Sequence, residues 1–334
     1  MGEMREIRIN QNEAGQRLDK FLGKYLKLAP RAFLYKMMRK KNITLNGKRC
    51  DGSERLENGD EVKLFLAEET IEKFSKIKVQ KVKKKKLDII YEDDHVLLIN
   101  KPAGMLSQKA RDTDESLVEY VIDYLLASGQ LKEQELRSFR PSVCNRLDRN
   151  TSGLVAAGKS LAGLQILSEI LKTRSLEKYY LCGVAGRVGE KSRIDGFLIK
   201  DEKKNQVRIY PSAAQGANQE AGAPISTEYE PLGWENGYTL LRVKLITGKT
   251  HQIRAHLASV GHPLVGDNKY GDKDVNEEAK RRYGILFQML HSYEMVFPSL
   301  PNPLSFLGGE SFAAPVPAEF YRVFPSFDWS GLRR

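Results

Sequence analysis

Between residues 14 and 66 the apolar positions switch from a helical to a strand period. Leu18, Phe21, Leu22 and Tyr25 recur on one face of a helix that begins at Arg17. Pro30 interrupts it, and residues 31–41 predict a second helix. Phe33, Leu34 and Met37 lie on one side of that helix, and Arg31, Lys36, Arg39 and Lys40 on the other. Residues 43–48 then read as a strand running into an Asn46-Gly47 hairpin turn, and a second turn at 56–60 leads into a strand over 61–66. Residues 67–86 carry no apolar period long enough for a core and read as a linker. From Leu87 the pattern changes. Residues 89–91 and 95–100 predict a hairpin, closed by Lys101-Pro102-Ala103-Gly104. Ser116 is placed to cap a helix reaching Leu126, with Leu117, Val121 and Leu125 on one stripe. A strand is expected over 153–157 and a stronger helix over 161–173. Further strands are expected over 179–184, 226–229 and 239–246, and a short helix over 250–260. Strands joined by hairpins, with few helices, predict an α+β fold with a mixed, largely antiparallel sheet. The predicted organisation is a small α+β domain over 1–66, a linker over 67–86 and a larger domain over 87–325.

Charge sharpens this division. Residues 1–86 hold 23 Lys and Arg against 12 Asp and Glu, whereas residues 87–334 hold 31 of each. The whole surplus of +11 therefore sits in the first quarter of the chain. In the linker it comes from Lys73, Lys76, Lys78, Lys81, Lys83, Lys84, Lys85 and Lys86. Such an electrostatic module on a neutral body suits a polyanion, either nucleic acid or an anionic membrane. No apolar run approaches the roughly 18 residues of a membrane span, and the first residues lack the apolar stretch of a signal peptide. Cys50, Cys144 and Cys182 are too widely spaced for a disulfide framework or a metal knuckle. A cytoplasmic protein that does not engage membrane is expected. The absence of a βαβ repeat and of a Gly-rich phosphate loop disfavours a nucleotide-cofactor enzyme.

Two clusters could carry chemistry. Arg-Leu-Asp occurs at 17–19 and again at 146–148, so the tripeptide alone marks nothing. The second copy, in Asn145-Arg146-Leu147-Asp148-Arg149-Asn150-Thr151-Ser152-Gly153, precedes an apolar strand and puts Asp148 at a strand edge, where clefts form. The other cluster is Thr247-Gly248-Lys249-Thr250-His251-Gln252-Ile253-Arg254-Ala255-His256-Leu257. On a helix, His251 and Arg254 share a face, while Ile253, Leu257 and Val260 point inward. His251 and His256 are five residues apart and do not share a face, which argues against zinc.

Two resemblances join these pieces. The run Arg17-Leu18-Asp19-Lys20-Phe21-Leu22, the basic helix, Ile43-Thr44-Leu45-Asn46-Gly47-Lys48 and Leu56-Glu57-Asn58-Gly59-Asp60-Glu61-Val62 resemble a small RNA-binding domain of the S-four type, first known from a small-subunit ribosomal protein. That resemblance implies that Arg31, Lys36, Arg39 and Lys40 face the phosphate backbone of structured RNA. Farther on, four segments follow in order: R-L-D-x-x-T-S-G at 146–153, K-x-Y-L at 178–181, G-K-T-H-Q-I-R-x-H at 248–256 and G-H-P-L-V-G-D at 261–267. Residues 87–320 thereby resemble the RluA-type pseudouridine synthases.

Carried over by position, this second resemblance makes Asp148 the catalytic carboxylate and Arg254 its partner. Tyr180 becomes the aromatic residue packed on the target base, and Arg146 the residue that enters the RNA where the flipped nucleotide left. Asn145 stands where the family commonly has His. Lys101, in the Asn100-Lys101-Pro102 turn, is a position that could hold a phosphate. The implied activity is isomerisation of specific uridines to pseudouridine in structured RNA. The front domain points to large-subunit ribosomal RNA or a ribosomal subunit precursor as the partner. The chemistry oxidises nothing and imports no group, so no cofactor is expected. Two other classes compete. A non-catalytic RNA-binding or ribosome-assembly factor would show broken motifs, whereas Asp148, Tyr180 and Arg254 are all present. A hydrolase of glycosides or esters would need a second carboxylate acid, for which Glu177 is the nearest candidate without a matching context, or a Ser–His pair.

Overall fold

The computed structural model describes residues 4–10, 12–75, 80, 82–83, 86–201, 206–211 and 222–332. Of the linker lysines, Lys76, Lys78, Lys81, Lys84 and Lys85 lie outside the described residues. The chain divides into two compact units. One is Met1–Lys85 with Val118–Ser142 and Gly158–Gln165; the other is Lys86–Leu117 with Val143–Ala157 and Ile166–Arg334.

The first unit opens with β1 (Arg5–Arg8), α1 (Leu18–Tyr25), α2 (Arg31–Arg39), β2 (Ile43–Leu45), β3 (Lys48–Arg49), β4 (Glu61–Leu64) and α3 (Glu68–Phe74). The strands form an antiparallel sheet in the order β1-β4-β2-β3. Helix α1 buries Leu18, Phe21, Leu22 and Tyr25, the stripe that its spacing predicts. Helix α2 is rotated from expectation. Leu34 and Met38 are buried while Phe33 and Met37 only flank the core. Arg31, Lys36, Arg39 and Lys40 remain exposed. Asn46 and Gly47 have φ of 51° and 72°, the left-handed pair that a two-residue hairpin turn requires. The expected linker begins later than residue 67. Helix α3 fully buries Ile71, and Phe74 packs on Phe33 with ring centroids 5.1 Å apart. A seven-residue helix with one buried apolar side chain is too short for a periodic signal, which is why the Lys-rich reading concealed it.

The rest of the chain supplies β5 (Ile89–Glu92), β6 (Val96–Lys101), α4 (Leu117–Ala127), β7 (Ser142–Val143), β8 (Ser152–Gly158), α5 (Leu161–Lys172), β9 (Glu177–Ala185), β10 (Ser192–Asp201) and β11 (Gln206–Tyr210). After these come β12 (Ala223–Glu235), β13 (Tyr238–Leu245), α6 (Gln252–Ser259), α7 (Lys273–Tyr283), β14 (Leu290–Val296), β15 (Ser311–Ala313) and α8 (Ala318–Val323). The large sheet runs β11-β10-β12-β13-β9-β14-β8-β6-β5, with β15 on β14 and β7 on β8. It is antiparallel from β11 to β14 and parallel where β14 meets β8. The mixed, largely antiparallel α+β architecture is therefore present. The β14–β8 contact depends on Gly153, whose φ is +109° and where an added Cβ would stand 2.2 Å from the Ser292 carbonyl oxygen. Among the described residues no helix is long and apolar enough to cross a membrane.

Two fully buried histidines couple this fold to pH. His256 Nδ1 lies 2.8 Å from Thr227 Oγ1, and His291 Nδ1 lies 2.9 Å from Ser152 Oγ. Burial pushes both imidazoles down to about 4. The unfolded chain takes up these protons near pH 6.5 while the folded one does not, so stability is fully present above that pH and falls as pH drops toward 4. At pH 5 each histidine is expected to remove ~2 kcal/mol. Denaturant titrations at pH 7 and 5 check this, with His256→Gln expected to remove about half of the histidine contribution to the difference.

Candidate active site

Asp148 sits on the segment between β7 and β8, and four braces fix that segment. Asn145 Oδ1 accepts the Ala156 backbone N–H at 2.8 Å, and its Nδ2 donates to the Leu154 carbonyl at 3.3 Å. The Asn145 side chain thus ties the loop to β8. The Leu147 N–H donates to Ser107 Oγ, whose hydroxyl donates back to the Leu147 carbonyl. The Thr151 N–H closes a turn on the Asp148 carbonyl at 3.0 Å, and Gln288 Nε2 donates to Thr151 Oγ1 at 3.2 Å.

Lys101 is the fourth brace, which corrects its expected role. Its side chain is fully buried, and Nζ donates to the carbonyls of Pro102 (2.9 Å), Met105 (2.8 Å) and Arg149 (3.2 Å). An ammonium with its hydrogens committed to buried carbonyls holds the loop together and is closed to an RNA phosphate. Its position beside a turn suggested exposure; only the packing reveals its burial.

Arg254 comes from α6, which is buried nearly all round from Gln252 to Leu257. Gln252 anchors the start of that helix. Its Oε1 accepts the Thr247 hydroxyl and the Lys249 N–H, and its Nε2 donates to the Ser226 carbonyl and to Thr227 Oγ1. The predicted helix begins two residues later than expected and ends before Val260. Val260 is exposed rather than inward-facing.

The Arg254 guanidinium joins two carboxylates. Nη1 donates to Asp148 Oδ2 at 2.7 Å, while Nε and Nη2 make a bidentate pair with Asp267 at 2.7 Å each. Asp267 is fully buried, and its Oδ1 also accepts the N–H groups of Lys269 and Tyr270. Burial works to raise the Asp267 carboxyl, but the Arg254 contacts and these amides outweigh it and hold the group below its ordinary value. Burial likewise works against the Arg254 charge, and the two carboxylates overcome it. Asp267 therefore spends its charge orienting Arg254. Asp148, about a quarter exposed at its side chain, is the one of the two open to a ligand.

Three aromatic side chains complete the site. Tyr270 lies beneath Arg254, with the guanidinium carbon 5.3 Å from the ring centroid. Its hydroxyl accepts the Val207 N–H at 2.8 Å and lies 3.0 Å from His251 Nδ1. His251, in a left-handed conformation with φ of 54°, turns Nε2 to within 3.9 Å of Asp148 Oδ2. Burial pushes the His251 imidazole down, with Asp148 opposing. Tyr180, in β9 opposite Ser292, is almost wholly buried. Burial first, and the nearby Asp148 charge in addition, push its phenol up to about 12. The structure thus gathers Asp148, Arg254 and Tyr180, as the motifs imply.

Arg146, two residues before Asp148, is exposed. Glu177 lies one residue off the alternation of Tyr180, bound to Lys244 and Tyr179, and the Lys244 contact holds its carboxyl down. It supplies no second acid. His251, Asp267 and Tyr270 received no role from their positions in the chain. For Asp267 the signal was present, because an aspartate following Leu264-Val265-Gly266 enters an apolar interior and demands a cation.

Comparison with known proteins identifies the family and the fold. Residues 95–259 match the family model described as RNA pseudouridylate synthase, and residues 16–62 match that of the S-four domain. Ribosomal large subunit pseudouridine synthase C of Escherichia coli strain K12 is 32% identical over 81% of each chain. The protein of that name from Salmonella typhi is 31% identical over 87% of this chain and 88% of its own. Among solved structures, human RNA pseudouridylate synthase domain containing 4 superposes with a TM-score of 0.54 at 19% identity, covering 71% of this chain and 91% of the other, which supports the fold. The chain belongs to the RNA pseudouridylate synthase family and is an isomerase that converts uridine in RNA to pseudouridine.

Proposed function

We propose that this protein isomerises uridines of large-subunit ribosomal RNA in the cytoplasm, with Asp148 acting at the ribose. The observation that carries the reading is the one-sided grip on Asp148: a single oxygen bound by an arginine that a buried aspartate has already oriented. The reaction breaks the N1–C1′ bond of uridine, turns the uracil and rejoins it through C5; the C5 proton leaves and N1 gains one. An ionised carboxylate beside C1′ can attack that carbon, stabilise an oxocarbenium-like species or begin glycal formation. Arg254 aims the carboxylate through a 2.7 Å charge-assisted hydrogen bond to Oδ2. Eversion of the base costs a few kcal/mol. Packing on Tyr180 would recover part of that cost, and Arg146, exposed two residues from Asp148, is available to fill the gap left in the RNA.

The small unit would hold the RNA through Arg31, Lys36, Arg39 and Lys40. Replacing all four by Gln is expected to lower the salt dependence of RNA affinity by up to about three units of logarithmic slope. Binding titrations at several salt concentrations check this, and an unchanged slope would remove α2 from the interface. The domain reading, 1–66 extended by α3, and 87–325, around a basic connector, is part of the same proposal. The reading as a whole is tested by mapping pseudouridines in RNA from cells with and without the gene. Loss of one or more large-subunit sites is expected; loss confined to transfer RNA would overturn the ribosomal assignment.

A further inference from the structure

Between α7 and β14 the chain presents two large apolar side chains to solvent, Leu286 at 62% and Phe287 at 39% exposure. Their neighbours Ile285, Gln288 and Met289 are buried, so they stand on a braced turn. The brace is continuous with the active site. The Met289 N–H donates to the Val265 carbonyl, and the Phe287 carbonyl packs so tightly on Gly266 that an added Cβ there would lie 2.3 Å from its oxygen. Gln288 donates to Thr151, whose own N–H closes the turn on Asp148. The Phe287 ring lies over Gly104, where an added Cβ would stand 3.8 Å from it, and the carbonyl of the same Gly104 receives Nε of Arg149, the residue after Asp148.

Resting on the reading of Asp148 as the reactive carboxylate, we propose that Phe287 is a stacking platform for the base of a nucleotide adjacent to the target uridine. An everted nucleotide leaves neighbouring bases with an unstacked face, and an aromatic ring on a turn tied to the Asp148 loop through Gln288 and Thr151 recovers that stacking. Every base has a π-face, so such a platform grips RNA without selecting its sequence. The exposure of Phe287 stands where a structural role would have buried the ring, and the hydrogen bonds that hold its turn lower the entropic cost of binding.

The test measures affinity in an Asp148→Asn background, where turnover does not interfere, using a ribosomal RNA fragment that the wild-type protein modifies. Versions of the fragment lack the base on the 5′ or the 3′ side of the target. Phe287→Ala is expected to weaken binding of the intact fragment by about 5- to 100-fold, with Phe287→Trp restoring it. Removing the base on one flank should weaken binding to the Phe287 protein by a similar factor and leave binding to the Phe287→Ala protein unchanged. Equal affinity of the Phe287 and Phe287→Ala proteins would overturn the proposal, as would losses from the missing base that are the same in both. Failure of the Asp148 reading shows separately, as normal turnover by the single variant Asp148→Asn.

Discussion

Arg254→Lys is expected to cut the rate of pseudouridine formation on the order of 100-fold or more while changing RNA affinity by less than tenfold. Lysine keeps the charge and loses the fork. In the native site one guanidinium makes three hydrogen bonds of 2.7 Å, two to Asp267 and one to Asp148. A single ammonium cannot reproduce the planar pair with Asp267 and also reach Asp148 with the same aim. Removing one well-placed donor from a site of developing charge typically costs about 3–4 kcal/mol of transition-state stabilisation, which is roughly the expected rate loss. Arg254 is also buried with a buried carboxylate, so the variant should melt at a lower temperature. Single-turnover rates and RNA titrations, both taken well below the melting temperature, separate the effects. Equal losses in rate and affinity would make Arg254 a phosphate contact and remove it from the reaction.

Which parts of this site could be read from the chain follows from where their signals lie. Helix α1 was legible because four apolar residues at helical spacing are all buried together. The ordered motifs led to Asp148, Tyr180 and Arg254 although they are far apart in sequence. The repeated Arg-Leu-Asp shows why order and setting carried the information, because the first copy, Arg17 with Asp19, is an exposed ion pair on the small unit. Strand β14 was missed because His291, Ser292 and Glu294 interrupt its apolar pattern while being buried themselves. Strand β10, between β11 and β12, alternates weakly, with only Gly196 and Leu198 buried. Helix α7 buries only Ala279 among its side chains, so periodicity could not find it, although the Asp272 cap and the left-handed Gly284 at its ends were readable signals. Lys101 was misplaced for the opposite reason, since its charge suggested a surface where the fold puts three carbonyls around it.

Asp148→Asn is the second large effect and isolates the carboxylate. The amide has nearly the shape of the acid and keeps an oxygen that can accept from Arg254. The loop that carries it is held by Asn145, Ser107, Lys101 and Thr151, none of which depends on the Asp148 charge. The RNA contacts proposed for Arg146, the basic face of α2 and Phe287 should also persist. What disappears is the negative oxygen that the proposed route uses at C1′, for which an amide is no substitute as nucleophile or as counter-charge.

The most direct measurement follows tritium released to water from RNA labelled at C5 of uridine, in parallel with RNA binding, for the native protein and for Asp148→Asn. The native protein is expected to release tritium in step with pseudouridine formation, and Asp148→Asn to bind RNA within a few-fold of native and release none. Release by Asp148→Asn at the native rate would contradict a carboxylate-driven isomerisation at this site.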